Sequence, residues 1–236
     1  METAQGQVAS VSSNGVYSFT KPARDEIVLI AGLGIEGDTH AGVHVRHRHR
    51  VKVDPTQPNL RQVHLIHEEL FADVAHKGYE VRPGNLGENV TTRGLDLLGL
   101  PVGTILRFGV EAEPAEWDAG VLDAVLAAAD AAKLNEPTAR AAEAVRAAVA
   151  REAAAGQARG IDPRPALVVA GLRNPCQQIN KFQPGLLKEV IGHDEKGDLV
   201  RKGGIMTVVL RGGAVRPGDP LVAELPPLPH ASLEPI

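Results

Sequence analysis

The chain is written in short apolar runs closed off by glycine or proline, a pattern that confines most of it to short strands and tight turns. It opens with "QVASVSSNGVYSF", two alternating runs meeting at Asn14-Gly15, which predicts a type I′ hairpin. "EIVLIAGLGIEGD" is an apolar strand running into glycines. "RQVHLIHEELFADVAH" begins as a strand and continues with Ile66, Leu70, Phe71 and Val74 at helical spacing, so a short helix follows it. "LPVGTILRFG" and "AVRPGDPLVAE" resemble one another, each placing a Gly turn ahead of an alternating strand. "ALVVAGLRNPC" and "GGIMTVVLRGG" are continuous apolar runs bounded by glycine, which predicts buried strands. Eight or so strands with Gly turns predict a mainly β, barrel-like fold.

One segment departs from this style. Residues 112–165 are Ala-rich with strong helix propensity, and predict a helical hairpin inserted into a single domain spanning 1–236. Val121, Leu122, Val125, Leu126 and Ala129 form one apolar stripe; Asn135-Glu-Pro supplies the break, and Val145 with Val149 continue a thinner stripe ended by Gly156. A surface insertion without chemistry is the simplest reading. A lid or the arm of a homodimer are the alternatives.

Composition narrows the function. The net charge is −4, so binding a nucleic acid would need a segregated basic face, and the one concentrated stretch, "HVRHRHRVK" (44–52), owes much of its length to histidines that are mostly neutral at pH 7. A single cysteine makes no internal disulfide, and the N-terminal sequence has neither the basic start nor the apolar run of a signal peptide. No run approaches the roughly 18 apolar residues of a membrane span. The expectation is a cytoplasmic protein that binds neither membrane nor nucleic acid.

Cys176 lies in "GLRNPCQQI" (171–179), just past a buried strand and directly after Pro175, where the chain must leave the sheet. A lone cysteine is commonly a small core hydrophobe. Beside Arg173 or Lys181 its thiolate would be favoured, making it both nucleophile and soft metal ligand. "GIEGDTHAGVH" (34–44) presents Asp38 and His40 on a glycine-punctuated loop suited to a polar ligand, whereas His44 to Arg50 reads as a solvated loop and His40, His44, His47 and His49 match no common zinc spacing. "RPGNLGENVTTRGLDL" (82–97) carries Gly87, Glu88 and Asn89 ahead of a strand, either as plain turn chemistry or as an oxyanion cradle.

Taken in order, "GIEGDTHAG", "NLGENVTT" with "GLDLLGLPVGTILRFG", and "GLRNPCQQI" resemble the MOSC domain, named for the C-terminal domain of molybdenum cofactor sulfurase. The resemblance extends through "FQPGLLKEVIG" and "GGIMTVVLRGGAVRPGDPL" and covers nearly the whole chain outside the helical insertion. It implies a barrel-like fold that binds molybdenum cofactor, with Cys176 as metal ligand or sulfur acceptor. Gly87, Glu88, Asn89, Arg173, Asp38 and His40 fall on the family's motifs. The cofactor's phosphate would need glycine N–H groups and a cation, for which Arg173 or Lys202 is available. The implied activities are reduction of N-hydroxylated compounds with a separate electron donor protein, or a non-catalytic sulfur or cofactor carrier served by a sulfur donor. The insertion departs from the family pattern, and helices laid over the cysteine would restrict either activity.

Overall fold

The structure is a computed structural model that describes residues 3–110, 119–193 and 197–236. Seven strands close into a barrel. Around its wall β1 (Thr3–Ser12) pairs with β6 (Val90–Arg93), β6 with β5 (Val63–His67), and β5 with β11 (Ile205–Arg211). From there β11 pairs with β8 (Ala166–Leu172), β8 with β7 (Ile105–Phe108), β7 with β13 (Pro220–Glu224), and β13 returns to β1. An odd number of strands closes only with at least one parallel pair, and that pair is β5–β6. A parallel pair needs a long crossover, which here carries helix α2 (Glu69–Ala75). The two similar sequence segments become β7 and β13, neighbours in the wall.

Strand β2 (Ala23–Arg24) extends the end of β1, and β3 (Ile27–Ile30), β4 (Gly34–Ile35) and β12 (Gly213–Val215) form a small second sheet. β9 (Ile191–His193) and β10 (Leu199–Arg201) make a hairpin. The other helices are α1 (Arg48–Val53), α3 (Asp123–Ala131), α4 (Glu136–Arg159), α5 (Gln178–Phe182) and α6 (Leu186–Val190).

Strand β8 explains why some runs are continuously apolar. Leu167 and Val169 join Leu106, Phe108, Val209 and Leu221 in the main core, while Ala166, Val168 and Ala170 face a second core. That second core is filled by α3 and α4 through Leu122, Val125, Leu126, Ala141 and Val145. A strand buried on both faces has no polar side to alternate with.

The helical pair is thus part of the packing rather than an appendage. Glu152 of α4 accepts from Nη2 of Arg107 at 2.7 Å and from Nη2 of Arg211 at 2.6 Å, and Arg107 also donates to Glu224 at 2.7 Å. Arg107 and Glu152 are only 2% and 3% exposed at their side chains, so a buried ion pair ties helix to barrel wall. Asn135 caps α4, accepting from the Thr138 amide at 3.0 Å. Residues 112–118 of the expected insertion, and the Val121 side chain, lie outside the described residues.

Two expectations are corrected. Asn14-Gly15 is not a type I′ turn, since neither residue has the positive φ that turn requires. Strands β1 and β2 do pair, Val11 opposite Arg24, but across a long loop. Asn14 spends its side chain on that loop, accepting from the Val16 amide and donating to the Thr20 carbonyl, and its own N–H goes to Asp38. Helix α4 does not end at Gly156 but continues to Arg159, with Gly160 beyond it. Gly156 is small because the chain doubles back there: a Cβ would lie 2.1 Å from Ile161 Cδ1.

Candidate functional site

A cavity of about 660 Å³ opens at the barrel end where β5, β6 and β11 begin and β8 leaves the sheet. Four stretches wall it, the 17–21 loop, the 40–61 segment with α1, Leu86 to Asn89, and Arg173 to Gln178, and His64 of β5 with Met206 of β11 completes the lining. Among the residues singled out in the sequence, His40, Gly87, Asn89, Arg173 and Cys176 line it directly. Chain positions more than a hundred residues apart therefore meet at one opening.

Asp38 stands behind the wall and organises it. Its Oδ2 accepts from Lys21 Nζ at 2.8 Å and from Asn89 Nδ2 at 3.1 Å, and its Oδ1 meets the His40 amide at 2.9 Å and His40 Nδ1 at 3.1 Å. Burial opposes ionisation of this carboxyl, but the His40 hydrogen bond and the Lys21 ammonium outweigh it and hold Asp38 well below the usual carboxylate range. A carboxylate that only accepts fixes the proton of His40 on Nδ1 and leaves Nε2 as the ring's free acceptor. The His40 ring stacks on His47 with centroids 4.4 Å apart. Burial keeps Lys21 below the ordinary lysine range, although the Asp38 carboxylate and, less strongly, Glu88 pull the other way.

Glu88 is also set behind the wall. It is fully buried and accepts from the Gly84 and Leu86 amides, so its role is to shape the Gly84–Gly87 loop rather than to touch a ligand. Gly87 needs its φ of 82°, and a Cβ there would lie 2.7 Å from the Phe19 carbonyl oxygen. The loop consequently presses against the 17–21 segment as only glycine permits.

The cavity is strongly cationic. Arg173 is buried with Nη1 unpartnered, and Arg61 has Nη2 buried and unpartnered. Burial pushes Arg61 down to about 9, with Arg50 and Arg173 adding repulsion. His64 donates Nε2–H to the Gly203 carbonyl at 2.7 Å; burial, then Arg173, hold it far below the ordinary histidine range and therefore neutral. Unpaired buried N–H groups are costly, and their convergence on a cavity marks a place where an anion completes the hydrogen bonding.

Cys176 is exposed, its Sγ 3.5 Å from Gln178 Oε1, which rules out a core filler. Among the described residues no three His, Cys, Asp or Glu side chains converge as a metal cage. A metal held here would rest on one thiolate and on donors that its own ligand brings, which is the donor set a dithiolene-bound molybdenum requires. The residues present fit such a group: a reachable sulfur, two arginines with free N–H groups, and a glycine loop whose backbone can approach closely.

Three expectations change. Lys202 does not line the cavity; its backbone N–H bonds the Val190 carbonyl, which places it behind α6. His44 to Arg50 is not simply a solvated loop, because His47, Arg48 and Arg50 line the cavity and α1 starts within it; the side chain of His49 lies outside the described residues. Among the described residues none of the α3–α4 pair lines the cavity, so these helices are not laid over the thiol. Sequence reasoning missed Lys21, Arg61 and His64. Each carries a polar side chain in or beside a segment otherwise committed to strand or turn, and a lone polar residue facing into a barrel end was the available signal.

No family model and no curated protein matches the chain. Solved structures do. YuaD from Bacillus subtilis superposes with a TM-score of 0.61 at 20% identity, covering 96% of this chain and 99% of that one. YiiM from Geobacillus stearothermophilus superposes with a TM-score of 0.50 at 14% identity, covering 96% of this chain and 79% of that one. At such identities the likeness establishes the fold. Among the described residues no helix is long and apolar enough to cross a membrane.

Proposed function

We propose that this chain is a free-standing, cytoplasmic MOSC-type protein that binds molybdenum cofactor through the Cys176 thiolate and reduces N-hydroxylated compounds with electrons from a separate donor protein. The observation that carries the reading is the exposed Cys176 thiol sharing one cavity with Arg61 and Arg173, both of which present unpartnered buried N–H groups. The resembling motifs around Gly87-Glu88-Asn89 and Arg173 to Cys176 support it because they meet at this cavity although they are distant in sequence.

Cys176 is the one thiol of the chain and supplies a soft ligand at the cavity. Arg61 and Arg173 hold the phosphate through their unpartnered N–H groups. Bound molybdenum would supply a centre that passes electrons to the substrate two at a time. The overall change is R–NHOH + 2e⁻ + 2H⁺ → R–NH₂ + H₂O: the N–O bond breaks, the oxygen leaves as water, and the donor protein is oxidised. His40, its Nδ1 proton held by Asp38, presents Nε2 at the cavity wall as an atom that can take up a proton and pass it on.

A second reading is a carrier, in which Cys176 holds a persulfide or the cofactor and hands it on; exposure of the sulfur favours transfer between proteins equally well. Cofactor-loaded protein given an artificial electron donor and a hydroxylamino substrate separates the two. Turnover supports the reductase. Bound cofactor without turnover supports the carrier.

A further inference from the structure

We infer that Arg48 and Arg50, at the cavity mouth, select a substrate carrying its own phosphate; this rests on the reading of the cavity as a reductive, cofactor-binding site. Both residues line the cavity, and between residues 41 and 53 there is no aspartate or glutamate to pair with them. Among the described residues neither makes an ion pair; Arg48 instead lies over the Tyr17 ring, 4.8 Å from its centroid.

Cations outnumber free anions at this opening. Arg48, Arg50, Arg61 and Arg173 surround one opening in a protein whose overall charge is −4. Two carboxylates set behind its wall are already engaged: Asp38 by Lys21 and His40, and Glu88 by the Gly84 and Leu86 amides. The cations repel one another, as the lowered ionisation of Arg61 by burial, Arg50 and Arg173 records. A phosphate monoester carries about −1.5 to −2 charges, enough to balance roughly two guanidiniums. The inner pair, with buried free N–H groups, is the better-formed site and accounts for one phosphate. The outer pair is left without a counterpart. A second phosphate, arriving with the substrate, balances it, which favours a phosphorylated N-hydroxylated substrate over its neutral counterpart; a nucleotide and its nucleoside are a convenient pair of probes.

The test uses the full-length protein carrying its cofactor, so that the inner arginine pair is already occupied, and two ligand pairs. Calorimetry at low salt should find adenosine 5′-monophosphate bound at least tenfold more tightly than adenosine, with the preference shrinking as salt rises. The double variant Arg48→Ala/Arg50→Ala should bring that ratio near one without changing adenosine binding, whereas Lys52→Ala, which removes an exposed cation of the same helix that does not line the cavity, should leave most of it. No preference in the wild type, equal loss of both ligands in the double variant, or the same loss of the ratio in Lys52→Ala as in the double variant would each overturn the assignment. In turnover, the 5′-monophosphate of 6-hydroxylaminopurine riboside should show at least a tenfold higher kcat/KM than the riboside, and the double variant should erase the difference. If neither is reduced while the binding preference holds, the reductive reading fails and anion selection stands. If both are reduced equally well, the reverse is true.

Discussion

Lys21 Nζ donates to Asp38 Oδ2 at 2.8 Å, and the two side chains are only 3% and 2% exposed. A buried pair of this kind contributes little against an apolar isostere, but removing one member strands the other as an uncompensated charge. Lys21→Met should therefore destabilise the fold by about 3–5 kcal/mol, read as a fall in the urea midpoint. Because the Asp38 carboxyl is held below its unfolded value of about 3.9, its contribution is fully present above that pH and is lost as pH falls through its folded value. Asp38→Asn should remove that acid-side loss; an unchanged profile would show that the pair carries no such linkage.

His64 predicts a second pH dependence, at milder acidity. Burial, reinforced by Arg173, keeps it neutral in the fold, while the unfolded chain takes up its proton near pH 6.5. Stability should be complete above that pH and decline below it by at most about 1.4 kcal/mol per pH unit for this one proton. His47, held down first by burial and then by His40, adds in the same direction. His64→Gln retains a donor for the Gly203 carbonyl and should flatten the curve between pH 6.5 and 5, measured by urea unfolding at each pH. An equally steep curve in the variant would contradict the neutral assignment.

Gly87 and Glu88 should separate strain from lost bracing. Gly87→Ala forces a side chain into positive φ and against the Phe19 carbonyl, a cost of about 1–3 kcal/mol. Glu88→Ala leaves the Gly84 and Leu86 amides without their acceptor at a similar cost of about 1–3 kcal/mol. Both should lower cofactor content more than distant substitutions of equal destabilisation, assayed as pterin per chain.

Glu152 is the test of the helical pair as packing. Glu152→Ala leaves Arg107 and Arg211 facing the vacated site, and a loss of about 3–5 kcal/mol is expected. Chemical unfolding should show one transition shifted downward. Two separate transitions would mean that α3 and α4 melt apart from the barrel.

How far the sequence carried depends on where each residue spends its interactions. Strands β8 and β11 were legible because Gly-bounded apolar runs buried on two faces have few other uses. The helical pair was legible through its propensity and the Asn135 cap, but its seat on the barrel was not, since Arg107, Glu152 and Arg211 meet only through tertiary contact. Asn14-Gly15 misled because a local turn signal lost to long-range demand, with the Asn14 amide drawn to Asp38. Cys176, Arg173 and Asn89 were found through their motifs. Lys21, Arg61 and His64 were not, because pairing partners and cavities arise only when distant segments meet.

Metal and pterin content of the purified protein tests the central claim most directly. Wild-type protein from a host that makes molybdenum cofactor should carry near-stoichiometric molybdenum and give the fluorescence of the oxidised pterin, and Cys176→Ser, folded to the same midpoint, should carry neither. Wild type without molybdenum from such a host, or a serine variant loaded as fully as the wild type, would contradict the account.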